Sequence, residues 1–150
     1  MSARAATYYG FSAEEREESV PKWQVSARER VTQDSGKWFN RLLDELTMLS
    51  QLSDNWDSYE ARAIDPESAA MTAKFLCSVL KGDATLPKLV PTVRGNIQLE
   101  WSSDRAELEI EVGAHGPLTA HFVDNQSHEE WENAMTADLA NIAEKINACF

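Results

Sequence analysis

Asn96-Ile97-Gln98-Leu99-Glu100-Trp101-Ser102-Ser103-Asp104-Arg105-Ala106-Glu107-Leu108-Glu109-Ile110-Glu111-Val112 is the stretch that decides the fold. Ile97, Leu99 and Trp101 alternate with Gln98 and Glu100. After the polar break Ser102–Arg105 the alternation resumes, with Ala106, Leu108, Ile110 and Val112 set against Glu107, Glu109 and Glu111. A period of two is the mark of strands with one buried face. A four-residue connection would pair Trp101 with Ala106, Leu99 with Leu108 and Ile97 with Ile110, keeping every apolar side chain on one side. The same register sets Glu100 opposite Glu107. A turn from Gly113 to Pro117 leads to Leu118, Ala120 and Phe122 on that same face, and sets His121 across from Glu109. Strands are expected near 96–101, 106–112 and 118–123.

Upstream, Leu86–Val93 carries Pro87 and Pro91, which restricts it to a loop or an edge strand. Before it the period becomes helical. Asp65 as cap, Pro66 at the first helical position and Glu67 in the first turn predict a helix over Pro66–Lys81, stopped by Gly82. Phe39, Leu42, Leu43, Leu46 and Leu49 predict another over Lys37–Ser53, with Asp34 or Ser35 as its cap and Asn55 as a left-handed terminator. Downstream, Ser127-His128-Glu129-Glu130 has the form of a capping box. The stripe Trp131, Met135, Leu139, Ile142 and Ile146 then predicts a helix from His128 to about Cys149. The expected fold is an α+β two-layer sandwich: two N-terminal helices, a three- or four-stranded antiparallel meander and a C-terminal helix packed on the sheet. Trp101, Leu108, Ile110 and Phe122 should pack against Leu76, Leu139, Ile142 and Ile146.

The chain has 150 residues, 43% of them hydrophobic and 26% charged, which suits one ordinary domain that folds without staples. Its net charge of −11 is unevenly placed. Residues 1–37 hold six basic and six acidic residues, whereas residues 38–150 hold eight basic and 19 acidic ones. We read 1–37 as a flexible or partner-docking arm, partly helical around Ser12–Glu18 and Val25–Val31, and 38–150 as a single acidic domain. The arm carries Tyr8, Tyr9, Phe11 and Trp23, anchor types when a segment docks on a partner, or side chains that fold back onto their own domain.

The charge balance argues against direct nucleic-acid binding. No run of about 20 apolar residues predicts a membrane span, and no apolar stretch of signal-peptide length opens the chain, so the cytoplasm is the expected compartment. Cys77 and Cys149 are too few for a disulfide framework or a structural zinc site. Elbow, zincin, C-x-x-C and phosphate-loop motifs are missing, so no catalytic residue, cofactor or metal site is assigned.

Two surfaces stand out. Glu100, Glu107, Glu109 and Glu111, with His121, should share the outer face of the sheet. Like charges opposed across strands repel by about 0.2–1 kcal/mol, so a face built this way suits a basic surface. It also suits plain hydration, or a divalent cation held by carboxylates at i and i+2. The second is Asn55-Trp56-Asp57-Ser58-Tyr59 between the first two helices. There Trp56 and Tyr59 either form a contact hot spot or plug the core while Asn55 and Asp57 satisfy backbone groups.

The segments Asn55-Trp56-Asp57-Ser58-Tyr59-Glu60-Ala61, Gly95-Asn96-Ile97-Gln98-Leu99-Glu100-Trp101 and Leu108-Glu109-Ile110-Glu111 together resemble an uncharacterised family of small bacterial proteins. That family is marked by an N-W-D-G-Y-G-A segment, a G-G-x-x-L-E-W strand and an acidic alternating strand after it. The resemblance spans about 38–123 and implies a bacterial origin and this element order. Ser58, Glu60 and Asn96 stand where that pattern has glycine.

The function expected from these features is that of a non-catalytic binding protein that docks on or neutralises a basic protein, in the manner of an antitoxin, immunity protein or inhibitor. The alternatives are an adaptor or structural subunit of a larger bacterial assembly, and a carboxylate- or metal-dependent enzyme using the sheet glutamates and His121.

Overall fold

The computed structural model describes residues 37–135 and 139–150. The arm aromatics Tyr8, Tyr9, Phe11 and Trp23, the arm's expected helices and the expected caps Asp34 and Ser35 lie outside the described residues. The element order is α1 (Trp38–Ser50), α2 (Pro66–Val79), β1 (Lys88–Pro91), β2 (Ile97–Ser102), β3 (Ala106–Val112), β4 (Leu118–Asp124), β5 (Glu129–Met135) and α3 (Leu139–Cys149). The five strands form one antiparallel sheet in sequence order. This corrects the expected three- or four-stranded meander, and the correction comes from both ends of the sheet.

At the first end, Lys88–Pro91 pairs with β2 as a short edge strand. Pro91 lacks an N–H, which an edge position tolerates and a central one does not. At the other end the expected helix from His128 is overturned: Glu129–Met135 is a strand, and the helix starts only at Leu139. The reason lies in the turn before it. Asp124 Oδ1 accepts the Gln126 and Ser127 backbone N–H groups at 2.8 and 3.1 Å, and the His128 N–H donates to the Asp124 carbonyl at 2.9 Å. His128 is left-handed, φ 61°. These bonds turn the chain straight back, so the Ser127 hydroxyl meets the Glu129 N–H (3.3 Å) inside a hairpin rather than capping a helix. Trp131 then stacks on Phe122 of β4, ring centroids 5.4 Å apart.

The β2–β3 hairpin also differs from expectation. Trp101 faces Leu108, Leu99 faces Ile110 and Ile97 faces Val112, a shift of two residues from the register predicted above. A tighter connection causes it. Ser103 N–H donates to the Ala106 carbonyl at 2.9 Å, leaving only Asp104 and Arg105 in the loop, and Ser103 Oγ accepts from the Ala106 N–H at 3.1 Å. A shift of two keeps every side chain on its own face. Glu100 therefore opposes Glu109, not Glu107, while Glu109 does face His121.

Helix α2 starts as its signals require, with Asp65 Oδ1 accepting the Glu67 N–H at 2.8 Å, and ends at Val79 with Leu80 extended. Helix α1 ends at Ser50, short of Ser53, because Gln51 and Leu52 tighten into i−3 bonds. Asn55 is left-handed (φ 64°), but it shapes the following loop and does not end the helix. Trp38 Nε1–H donates to the Lys81 carbonyl at 2.9 Å, so α1 begins where α2 has just ended and the two run antiparallel. Leu42, Leu46, Leu76, Leu99, Leu108, Ile110, Phe122, Ile142 and Ile146 are almost fully buried in one core between helices and sheet. Trp101 belongs to it, its Nε1–H satisfied by the Thr85 carbonyl at 3.1 Å. Of the residues expected there, only the Leu139 side chain lies outside what is described.

Candidate functional site

The apolar half of the alternation faces the helices, and the polar half faces away from them. No helix among the described residues covers that outer face. The register carries one row across all five strands: Lys88, Glu100, Glu109, His121 and Glu132. On one side of it lie Val90, Gln98, Glu111 and Thr119, and on the other Ser102, Glu107, Val123 and Glu130. Six glutamates thus share one pleated surface, including the four expected from sequence.

Their electrostatic settings differ. Glu100 Oε2 lies 3.7 Å from Lys88 Nζ, and its Oε1 accepts from Gln98 Nε2 at 3.0 Å. Glu111 is held hardest: Arg94 Nη2 reaches both its oxygens at 2.8 Å, and Asn96 Nδ2 donates to Oε1 at 2.8 Å. Glu130 Oε1 lies 3.4 Å from His121 Nε2. Glu107, Glu109 and Glu132 are exposed and have no cationic partner within ion-pair distance among the described residues. The glutamates without a lysine or arginine partner therefore lie on β3 and β5, beside Glu100 and Glu111, which Lys88 and Arg94 hold. Glu109 and Glu132 flank His121 in its row, yet no group of three or more His, Cys, Asp or Glu residues among those described is placed to hold a metal ion.

The ionised groups with displaced pKa values sit on the covered side and at its rim. Backbone N–H bonds from Ser127 and Gln126 hold the Asp124 carboxyl below its usual value, helped by Arg105, whose Nε and Nη2 both lie 3.3 Å from Oδ2. The Glu129 carboxylate, 2.8 Å away, raises Lys145. Lys145 also lies over the Phe122 ring, 5.1 Å from its centroid. These groups secure the β4–β5 hairpin and α3, and leave the outer face to its glutamates.

The loop from Asp54 to Asp65 closes the end of the sheet at the β1–β2 turn. Asn55 Oδ1 accepts the Glu60 N–H at 2.8 Å, and Asp57 Oδ1 accepts Tyr59 and Ala61 N–H at 2.8 and 3.0 Å. Asp54 Oδ1 takes the Ala63 N–H at 2.9 Å. The Arg62 N–H then donates to the Val93 carbonyl and the Asp65 N–H to the Gly95 carbonyl, at 3.0 and 2.9 Å, tying loop to hairpin. Gly95 is required at that crossing: its φ is +84°, and a Cβ there would lie 2.7 Å from the Ala63 carbonyl oxygen. Asn55 and Asp57 thus do satisfy backbone groups. The two aromatics part company. Trp56 is half-buried with its Nε1–H on the Arg62 carbonyl at 3.0 Å, whereas Tyr59 plugs no core and is 87% exposed.

Sequence reasoning missed Glu130 and Glu132, although period-two alternation around Trp131 was present in Glu129-Glu130-Trp131-Glu132 beneath the stronger helical stripe. It also missed Lys88, Arg94 and Val93, for which a single sequence offers no signal. No protein-family model matches this chain, and neither the curated proteins nor the solved structures include a match. No helix among the described residues is long and apolar enough to cross a membrane.

Proposed function

We propose that this protein is a non-catalytic acidic module that docks on a basic site of another protein through the outer face of its sheet. The observation carrying this reading is the set of three unneutralised glutamates, Glu107, Glu109 and Glu132, on a rigid face that no described helix covers. Glutamates projecting from paired strands need little ordering to meet a partner, so more of the interaction is retained as affinity. Their field would also speed encounter with a cationic surface. A basic partner is the natural complement of a chain whose net charge is −11. Antitoxins, immunity proteins and enzyme inhibitors work in this way.

The test is capture on the immobilised full-length chain from a lysate of the source organism, with wild type and Glu107→Gln/Glu109→Gln/Glu132→Gln side by side. The expected result is a basic protein retained by wild type at low ionic strength. It should be lost from the triple variant, and lost from wild type at about 0.5 M salt, where screening acts within a few ångströms. Equal recovery by both proteins at low salt would leave the face as a hydrated surface only.

A further inference from the structure

Among the described residues the large apolar side chains left exposed are Met48, Tyr59 and Val93, at 69, 87 and 59%. All three belong to one end of the molecule. Helix α1 starts beside Lys81, so its last turn, with Met48, comes out at the opposite end. That is where the 54–65 loop crosses the β1–β2 turn bearing Val93. Exposed apolar residues at the same end of a fold, with charges near them, are candidates for a contact site.

Tyr59 is set apart by the backbone that presents it. Ser58 and Glu60, its neighbours on either side, are both left-handed, φ 66 and 69°, as is Asn55 at φ 64°. For residues with a Cβ this conformation is costly and persists only where the surroundings enforce it. Here five N–H groups of the loop, those of Ser58, Tyr59, Glu60, Ala61 and Ala63, donate back to Asn55, Asp57 or Asp54. The Tyr59 side chain adds nothing to the core, in which the same loop seats Ala61 and Ile64. What the arrangement achieves is a fixed backbone that presents the aromatic side chain to solvent. Around it the segment 54–67 carries Asp54, Asp57, Glu60, Asp65 and Glu67 against a single cation, Arg62.

We infer that Tyr59 is the anchor on which the basic partner places a lysine or arginine side chain, the cation over the ring face and its aliphatic stem along the apolar surface of this end. This rests on the acidic-face reading given above and adds a second contact to it. A ring in a negative field attracts a cation both through its quadrupole and through the surrounding carboxylates. With the backbone already held, only the two side-chain torsions of Tyr59 remain to be ordered on binding. The two contacts are joined through the hairpin turn, since Val93 accepts from the loop and the next residue, Arg94, clamps Glu111 on the sheet face.

The experiment uses the full chain and a fluorescein-labelled, end-capped peptide of alternating arginine and leucine, with an alternating glutamate–leucine peptide as control, followed by anisotropy. Circular dichroism checks that each variant is folded, as expected for a residue this exposed. Tyr59→Ala and Tyr59→Leu should each weaken the arginine peptide by about fivefold or more, and Tyr59→Phe should stay within about twofold of wild type because it keeps the ring. The inference is overturned if the arginine peptide does not bind, if the glutamate peptide binds equally well, or if Tyr59→Leu binds like wild type. The triple glutamine variant separates the two contacts. Weakening by that variant alone would overturn the Tyr59 anchor and leave the sheet face standing, and weakening by Tyr59→Ala alone would do the reverse.

Discussion

The two faces of the sheet share the same strands and backbone bonds and differ in almost everything else. On β3, Leu108 and Ile110 are fully buried against the helices, while Glu107 and Glu109, which alternate with them, are exposed. The inner face is where stability resides. It is apolar, closely packed and intolerant of change. The outer face holds ion pairs at Glu100 and Glu111 and carboxylates without a lysine or arginine partner on β3 and β5, an arrangement that contributes little to folding. A surface free of folding duties can be shaped by what it meets.

Substitutions on neighbouring residues would break or sharpen that contrast. Ile110→Ala should cost about 2–5 kcal/mol in chemical denaturation, and Glu109→Ala, one residue away, no more than about 0.5 kcal/mol. Comparable losses at both positions would mean the faces are not divided as described.

A smaller effect is expected at the loop that closes the sheet, where two exchanges should have opposite signs. Gly95→Ala should destabilise by about 1–3 kcal/mol, because the new Cβ meets the Ala63 carbonyl in a left-handed backbone. Glu60→Gly should stabilise by about 0.5–1 kcal/mol, relieving its positive φ. Thermal melts of the pair would show it, and a destabilised Glu60→Gly would mean that its side chain supports the loop.

The smallest change is expected on the outer face itself. Glu107→Gln/Glu109→Gln/Glu132→Gln should leave the midpoint of unfolding level or raise stability by about 0.2–1 kcal/mol, since Glu109 no longer opposes Glu100. A loss above about 1 kcal/mol would show these carboxylates to be structural and would weaken the case for a docking surface.

The sequence by itself determined what local chemistry controls. The Asp65-Pro66-Glu67 signal placed the start of α2, and period-two alternation assigned Trp101, Leu108, Ile110 and Phe122 to the core side with Glu107, Glu109 and Glu111 opposite. Only the tertiary structure decided three further matters. Register came first, because alternation fixes a face but is blind to a shift of two, and the Ser103–Ala106 closure chose between the equivalent pairings. The second was the state of Glu129–Met135, whose apolar spacing suited a helix until the Asp124 turn and the Phe122 ring drew it into the sheet. The third was the fate of the loop aromatics, which share a near-identical local setting. Trp56 found a carbonyl to bond and Tyr59 did not. Each was settled by how a turn or loop closed and which groups that closure brought together, which the spacing of residues along the chain does not encode.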